Sequence, residues 1–282
     1  MTFSNWIELL QQGWEVLRSF ANSAFASAFL SALAGAGLGV WGAQRVAERA
    51  ARAKELLESL RQANAVIVLA TTIANNAFSL KRQYITPLSE RYFKDREVAI
   101  AHQASILSGK SPTPIAFEAE MTKITPVTIP LDALKNLVYS AQLMPGRALA
   151  LVAIIEQTAS ELTHAVEMRS EQIDTFRSAD LPHDIFCQDY YGMKRRDGNT
   201  NSMYHDSMVA ITQYTDDLGF FGAELADEMQ NHAIAVRAKL LKFRKDIPKA
   251  STVDFSAARE SGLLPPRENY ESWLSGFRKQ EP

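Results

Sequence analysis

The residues richest in chemistry lie in one short stretch, 180–206, which holds His183, Asp184, Cys187, Asp189, His205 and Asp206. A histidine, a cysteine and a second histidine are zinc-ligand types, and such a set would clamp a loop or polarise a bound water. The spacing argues against that chemistry. His183 and Cys187 stand four apart in what reads as a long loop, Asp180 to Asn201, directly after Pro182. Cys187 is the only cysteine, so neither a Cys-x-x-Cys ligand pair nor an internal disulfide can form within the chain. The run Asp197-Gly198-Asn199-Thr200-Asn201 begins like a calcium loop, but its sixth position is Ser202 and its twelfth is Met208. A calcium loop needs glycine and glutamate there. We therefore expect a turn at Asp197-Gly198, a helix capped by Asn201 or Ser202, and neither metal nor cofactor.

Acid and base groups elsewhere form no catalytic constellation. Asp216, Asp217, Glu224, Asp227 and Glu228 make one helix acidic; they are expected to be solvated or paired with the basic stretch 237–245. A Gly-rich phosphate loop and a Gly-x-Ser-x-Gly elbow are both missing. No residue is assigned as catalytic. The net charge is −2 with 22 % charged residues, too balanced a field to imply direct nucleic-acid binding.

The strongest signal is physical rather than catalytic. Between Arg18 and Arg45 the chain carries no charge. About 20 apolar residues suffice to cross a bilayer as a helix, so 19–44 reads as a transmembrane helix. Ser23, Ser27, Ser31, Gly35 and Gly39 recur every fourth residue, with Gly35-x-x-x-Gly39 a small-x-x-x-small pair. Lipid provides no hydrophobic drive between helices, so close backbone approach and hydroxyl bonding must hold them together. That row is the expected self-association face, with Phe25, Phe29, Leu33 and Val40 toward lipid. Residues 1–18 form an amphipathic helix with Trp6 and Trp14, suited to lie at the interface. Trp41, Arg45 and Arg49 mark the other interface. Arg45, Arg49, Arg52 and Lys54 follow the span while Arg18 alone precedes it, which places the C-terminal part in the cytoplasm.

Residues 45–246 are expected to form an elongated cytosolic helical bundle, and 247–282 an irregular tail. Val46, Ala50, Ala53, Leu57, Leu60, Asn64, Ile67, Thr71, Ala74 and Phe78 alternate steps of four and three, a heptad seam with Asn64 and Thr71 inside it. The uncharged run 62–80 has the length of a second span, but its amides favour a buried bundle helix. Pro87 breaks or kinks that helix, which resumes from Leu88 to Leu107. Ile115, Phe117, Ala119 and Met121 alternate, which predicts a small β element in 109–130. Helices are expected from Asp132 to Leu143, over 147–178, and from Ser202 to Lys245. The fold class is thus mainly α, with an N-terminal transmembrane helix continuing into the bundle.

The runs GAQRVAERA, LKRQYITPL, DGNTNSMYHDS and DDLGFF resemble a group of bacterial single-pass membrane-anchored helical proteins with no assigned chemistry. The layout also resembles the small single-span membrane effectors of bacterial antiviral defence systems. Those resemblances imply a bacterial inner-membrane protein that acts as a homo-oligomer on the lipid bilayer, as a pore or membrane-disrupting device gated by its cytosolic bundle. A membrane-tethered adaptor or sensor for a cytosolic protein partner is the second reading. A third comes from Arg96–His102 and Arg177–His183, whose spacing resembles the Arg-x4–6-His motif of HEPN ribonucleases. That chemistry needs Arg and His on one face at a dimer seam, and Pro182 interrupts the second pair.

Overall fold

The computed structural model describes residues 13–15, 18, 24–110, 116–141 and 143–277. Helix α1 runs from Ala24 to Leu80. A π-helical turn, Lys81–Ile85, joins it to α2, Thr86–Leu107. There follow α3 (Leu131–Tyr139), α4 (Gly146–Ser178), α5 (His183–Tyr191) and α6 (Met203–Leu240). The C-terminal segment carries α7 (Ser256–Glu260), a 3-10 turn (Arg267–Tyr270) and α8 (Glu271–Ser275).

The core is built by α1, α4 and α6. Helix α6 is the shared element, packing along both α1 and α4. Residues 218–226 of α6 are buried at every position, so the helix is enclosed on all sides there. On α1 the buried seam is Leu56, Leu60, Ala63, Ile67, Ala70, Ala74 and Ala77. These are steps of four and three, as the heptad reading requires; Leu60, Ile67, Ala74 and Phe78 of the expected seam are buried, while Ala63 and Ala70 take the places expected of Asn64 and Thr71, and Val66 and Ile73 widen the buried face. Asn64 and Thr71 consequently lie at the edge of the seam. Asn64 holds the C-terminal segment instead: its Nδ2 donates to Lys249 O at 2.9 Å and its Oδ1 accepts from Ser251 N at 2.9 Å.

Alanine and glycine decide how close α1 and α6 come. A Cβ placed on Gly222 would lie 3.1 Å from Ala74 N and 3.3 Å from Ala70 O. Two backbones at that separation leave no room for a side chain, and the small residues gain dispersion contacts along the whole crossing.

Within Gly39–Leu107 a window reaches mean hydropathy 1.3, long and apolar enough by length and composition to cross a membrane, and half of it is buried in the protein. The uncharged run 62–80 lies in this helix and supplies Ala63, Val66, Ile67, Ala70 and Ile73 to the core. Pro87 does not stop the chain. The π turn just before it widens the helix where a proline ring would otherwise collide with the preceding turn.

The small β element expected in 109–130 is absent: the described residues contain no strand, only an isolated bridge, Lys194 to Thr200. The alternation is real, because Phe117, Ala119 and Met121 all pack on one aromatic cluster. Yet the extended backbone lies on helices, not beside a strand. Side chains take its hydrogen bonds. Arg169, 1 % exposed, donates to Thr122 O and Glu120 O, Tyr204 donates to Glu120 O, and Glu120 N donates to Tyr190 Oη. The stretch 180–201 also differs from the expected loop, since α5 occupies its middle. Gly192, with φ 63°, closes that helix, and Gly198, with φ 89°, forms the expected turn.

Candidate functional site

The first 29 residues of α1, Ala24 to Arg52, project beyond the bundle by about 43 Å at 1.5 Å per residue. Packing against the rest of the chain begins at Ala53 and Leu56. The uncharged portion, 24–44, measures about 31 Å, close to the ~30 Å of a hydrocarbon core. Ser31, Gly35 and Gly39 are exposed, and a Cβ on either glycine would meet nothing within 4 Å. Ser23 and Trp6 lie outside the described residues, as does the side chain of Ser27. Trp14 is exposed. At the charged end, the Arg45 guanidinium lies 4.7 Å above the Trp41 ring, and Arg49 is exposed one turn further on. Trp41 and Arg45 thus form a cation–π pair on the surface of the helix.

The residues of 180–206 are dispersed. His183 and Cys187 share one face of α5, four residues apart, and line a cavity of about 300 Å³ with His102, Phe117 and Met193. Burial pushes the Cys187 thiol up, away from its nucleophilic form. Asp189 is taken by Arg195 in a bidentate pair, and Asp206 accepts from Ser202 Oγ at 2.7 Å. His205 lies elsewhere, its Nδ1 3.1 Å from Tyr92 Oη and its ring stacked on the tyrosine. Burial, with Arg96 nearby, lowers its basicity. No group of three or more metal-ligand side chains comes together among the described residues.

The Arg/His pairs are separated in the same way. Arg96 Nε donates to Tyr191 O at 2.8 Å, while His102 faces the cavity under α5. Arg177 donates to Met121 O, and His183, on the next helix, meets the edge of Phe117 at 5.7 Å. Both arginines are tied to backbone carbonyls that hold the fold.

The acidic helix, α6, pairs differently from the expectation. Its partners come from the π turn, α4 and the C-terminal segment rather than from 237–245. Lys81 meets Asp216 at 2.8 Å. Arg147 binds both Glu224 and Glu228, and Arg267 reaches Glu224 at 2.6 Å. Glu224 is buried, so two arginines compensate one desolvated carboxylate. Beyond these pairs, Glu161, Asp216 and Asp217 line an open groove with Tyr270 and Trp273. Asp217 and Glu161 lie 53 and 109 residues before Tyr270 in the sequence. The only signals in the sequence were the acidic pair and the final aromatic segment, YESWLSGF, taken separately.

No known protein family matches this chain, and neither a curated protein nor a solved structure matches it.

Proposed function

We propose that this protein is a membrane-anchored helical effector. Residues 19–44 cross a bacterial inner membrane once, 1–18 lie at its outer face, and the bundle stands in the cytoplasm. The observation that supports this reading is the uncharged portion of α1, of bilayer length and exposed at Ala28, Ser31, Gly35, Gly39 and Val40, ending at Trp41 and Arg45. An apolar helix of this length left in water forfeits the burial that stabilises helices in globular domains; lipid restores it.

The mode of action follows from continuity. Helix α1 passes without a break from the projecting portion into the bundle core. A change of packing in the bundle would therefore tilt or rotate the span as a rigid rod. Copies associate through Ser23, Ser27, Ser31, Gly35 and Gly39, and the assembly perforates or disrupts the membrane, as in the defence effectors that the layout resembles. A membrane-tethered sensor that engages a cytosolic partner is the second reading, favoured by the lined groove far from the projecting helix.

The test combines location and assembly. The full chain is expected to stay in the membrane pellet after carbonate washing, and a reporter after Pro282 to be active only in its cytoplasmic format. Gly35→Leu with Gly39→Leu should abolish the oligomer on native gels and any toxicity on overexpression while leaving membrane location intact. Phe25→Leu should change neither. A periplasmically active reporter would overturn the orientation; a double variant that remains oligomeric and toxic would overturn the assembly face.

A further inference from the structure

A groove of about 640 Å³ opens between α4, α6 and the C-terminal segment, within the ~300–1,000 Å³ of small-molecule sites. It lies by Lys81, about 54 Å of helix from Arg45, and so well away from the projecting portion. Its lining holds three carboxylates, Glu161, Asp216 and Asp217, and no lysine, arginine or histidine. Asp216 is answered by Lys81. Asp217 accepts only the Tyr270 hydroxyl, at 2.8 Å, and neither Asp217 nor Glu161 has a basic partner among the described residues. The contrast within α6 is informative. Glu224 and Glu228, about two and three turns further on, are neutralised by Arg147 and Arg267. Where α6 faces the groove, Asp217 has no such partner among the described residues.

The opposite wall is aromatic and held fixed. Tyr270 stacks on Phe220 with centroids 3.7 Å apart and planes 7° from parallel, and Trp273 packs against Phe221 at 5.1 Å. Burial, with Asp216 beside it, pushes the Asp217 carboxyl above its usual range, although the Tyr270 bond opposes this. An anion would be repelled here, and a neutral apolar ligand would leave the carboxylates desolvated and unpaired. A cation gains both a Coulomb partner and the negative faces of the rings.

We infer that this groove binds a small organic cation, an alkyl di- or polyamine, with ammonium groups on Glu161 and Asp217 and methylenes along Tyr270 and Trp273. The site does not depend on the membrane reading; it would serve that reading as the input that changes bundle packing. Full-length protein in detergent is to be titrated calorimetrically with 1,4-diaminobutane and with spermidine, and with 1,4-butanediol as the neutral control. Saturable binding of at least one amine is expected, with no heat from the diol. Affinity should fall about tenfold or more in Glu161→Gln and in Asp217→Asn, each contact being charge-assisted. Asp217→Asn keeps an acceptor for Tyr270, and Glu161 has no partner to lose among the described residues, so both variants should melt like the parent. The same amines should raise the melting temperature of the parent and not of the double variant. No saturable binding of either amine, equal binding of the diol, or unchanged affinity in the double variant would each overturn the site.

Discussion

Gly192 shows how a single residue ties two helices together. It ends α5 in the left-handed region, and a Cβ there would lie 2.9 Å from His205 Cβ on α6. The residue after it, Met193, donates to Gln188 O at 2.7 Å, which completes the helix end. Left-handed backbone costs a non-glycine residue on the order of 1–2 kcal/mol, and the collision with His205 adds to it. Gly198, with φ 89°, lies on an open turn where an added Cβ approaches only the Lys194 chain, at 4.0 Å. Gly192→Ala is therefore expected to lower the melting temperature more than Gly198→Ala, and to disturb the stacking of His205 on Tyr92. Circular-dichroism melts of the two variants measure the difference. Equal losses would mean that backbone strain alone acts at both sites.

Among the elements, the crossing of α1 and α6 carries the core. Its seam uses alanine where a typical bundle uses leucine, and Gly222 faces Ala70 and Ala74 directly. Overpacking a tight contact costs roughly 1–3 kcal/mol, and more where backbone must move. Gly222→Leu should force the helices apart and lower the urea midpoint strongly, whereas Ala51→Leu, on the exposed part of α1, should change it little. A Gly222→Leu variant no less stable than Ala51→Leu would mean that the crossing is not close-packed. The strap 116–130 teaches a related lesson. Alternation of Phe117, Ala119 and Met121 reports a backbone with one face buried, and it is silent about what covers that face. Arg169 and Tyr204 supply the hydrogen bonds that a neighbouring strand would have given.

For the whole molecule, the division falls near Arg52. Packing of α1 on the core begins at Ala53 and Leu56, and from there on α1 belongs to the core. Removing residues 1–44 should therefore release a soluble, monomeric bundle with the helicity and melting temperature of the parent's bundle. Size-exclusion chromatography and circular dichroism test this, and an aggregated or molten product would show that the projecting portion completes the fold. The C-terminal segment is not expendable in the same way. Phe255, Leu264 and Leu274 are buried in the main core, and Lys81 Nζ donates to the carbonyls of Gly262 and Leu263 at 3.0 and 3.2 Å.

Local signals were legible without the fold. The uncharged run 19–44, the four-and-three spacing on α1, the turn at Asp197-Gly198 and the long helices on either side of it all follow from charge, period and backbone preference, which act over a few residues. What the tertiary structure alone decided is which faces meet. It put Ala63 and Ala70 into the α1 seam where Asn64 and Thr71 were expected, on the side where Gly222 lets α6 approach closely. It turned an alternating strap onto helices, placed a helix between Pro182 and Gly192, and sent Asn64 to the C-terminal segment rather than to a helix partner. It also gave Glu224 its two arginines and set Asp217 opposite Trp273. Those contacts join residues far apart in sequence, and their energies depend on burial and on distance across the bundle, neither of which a linear pattern carries.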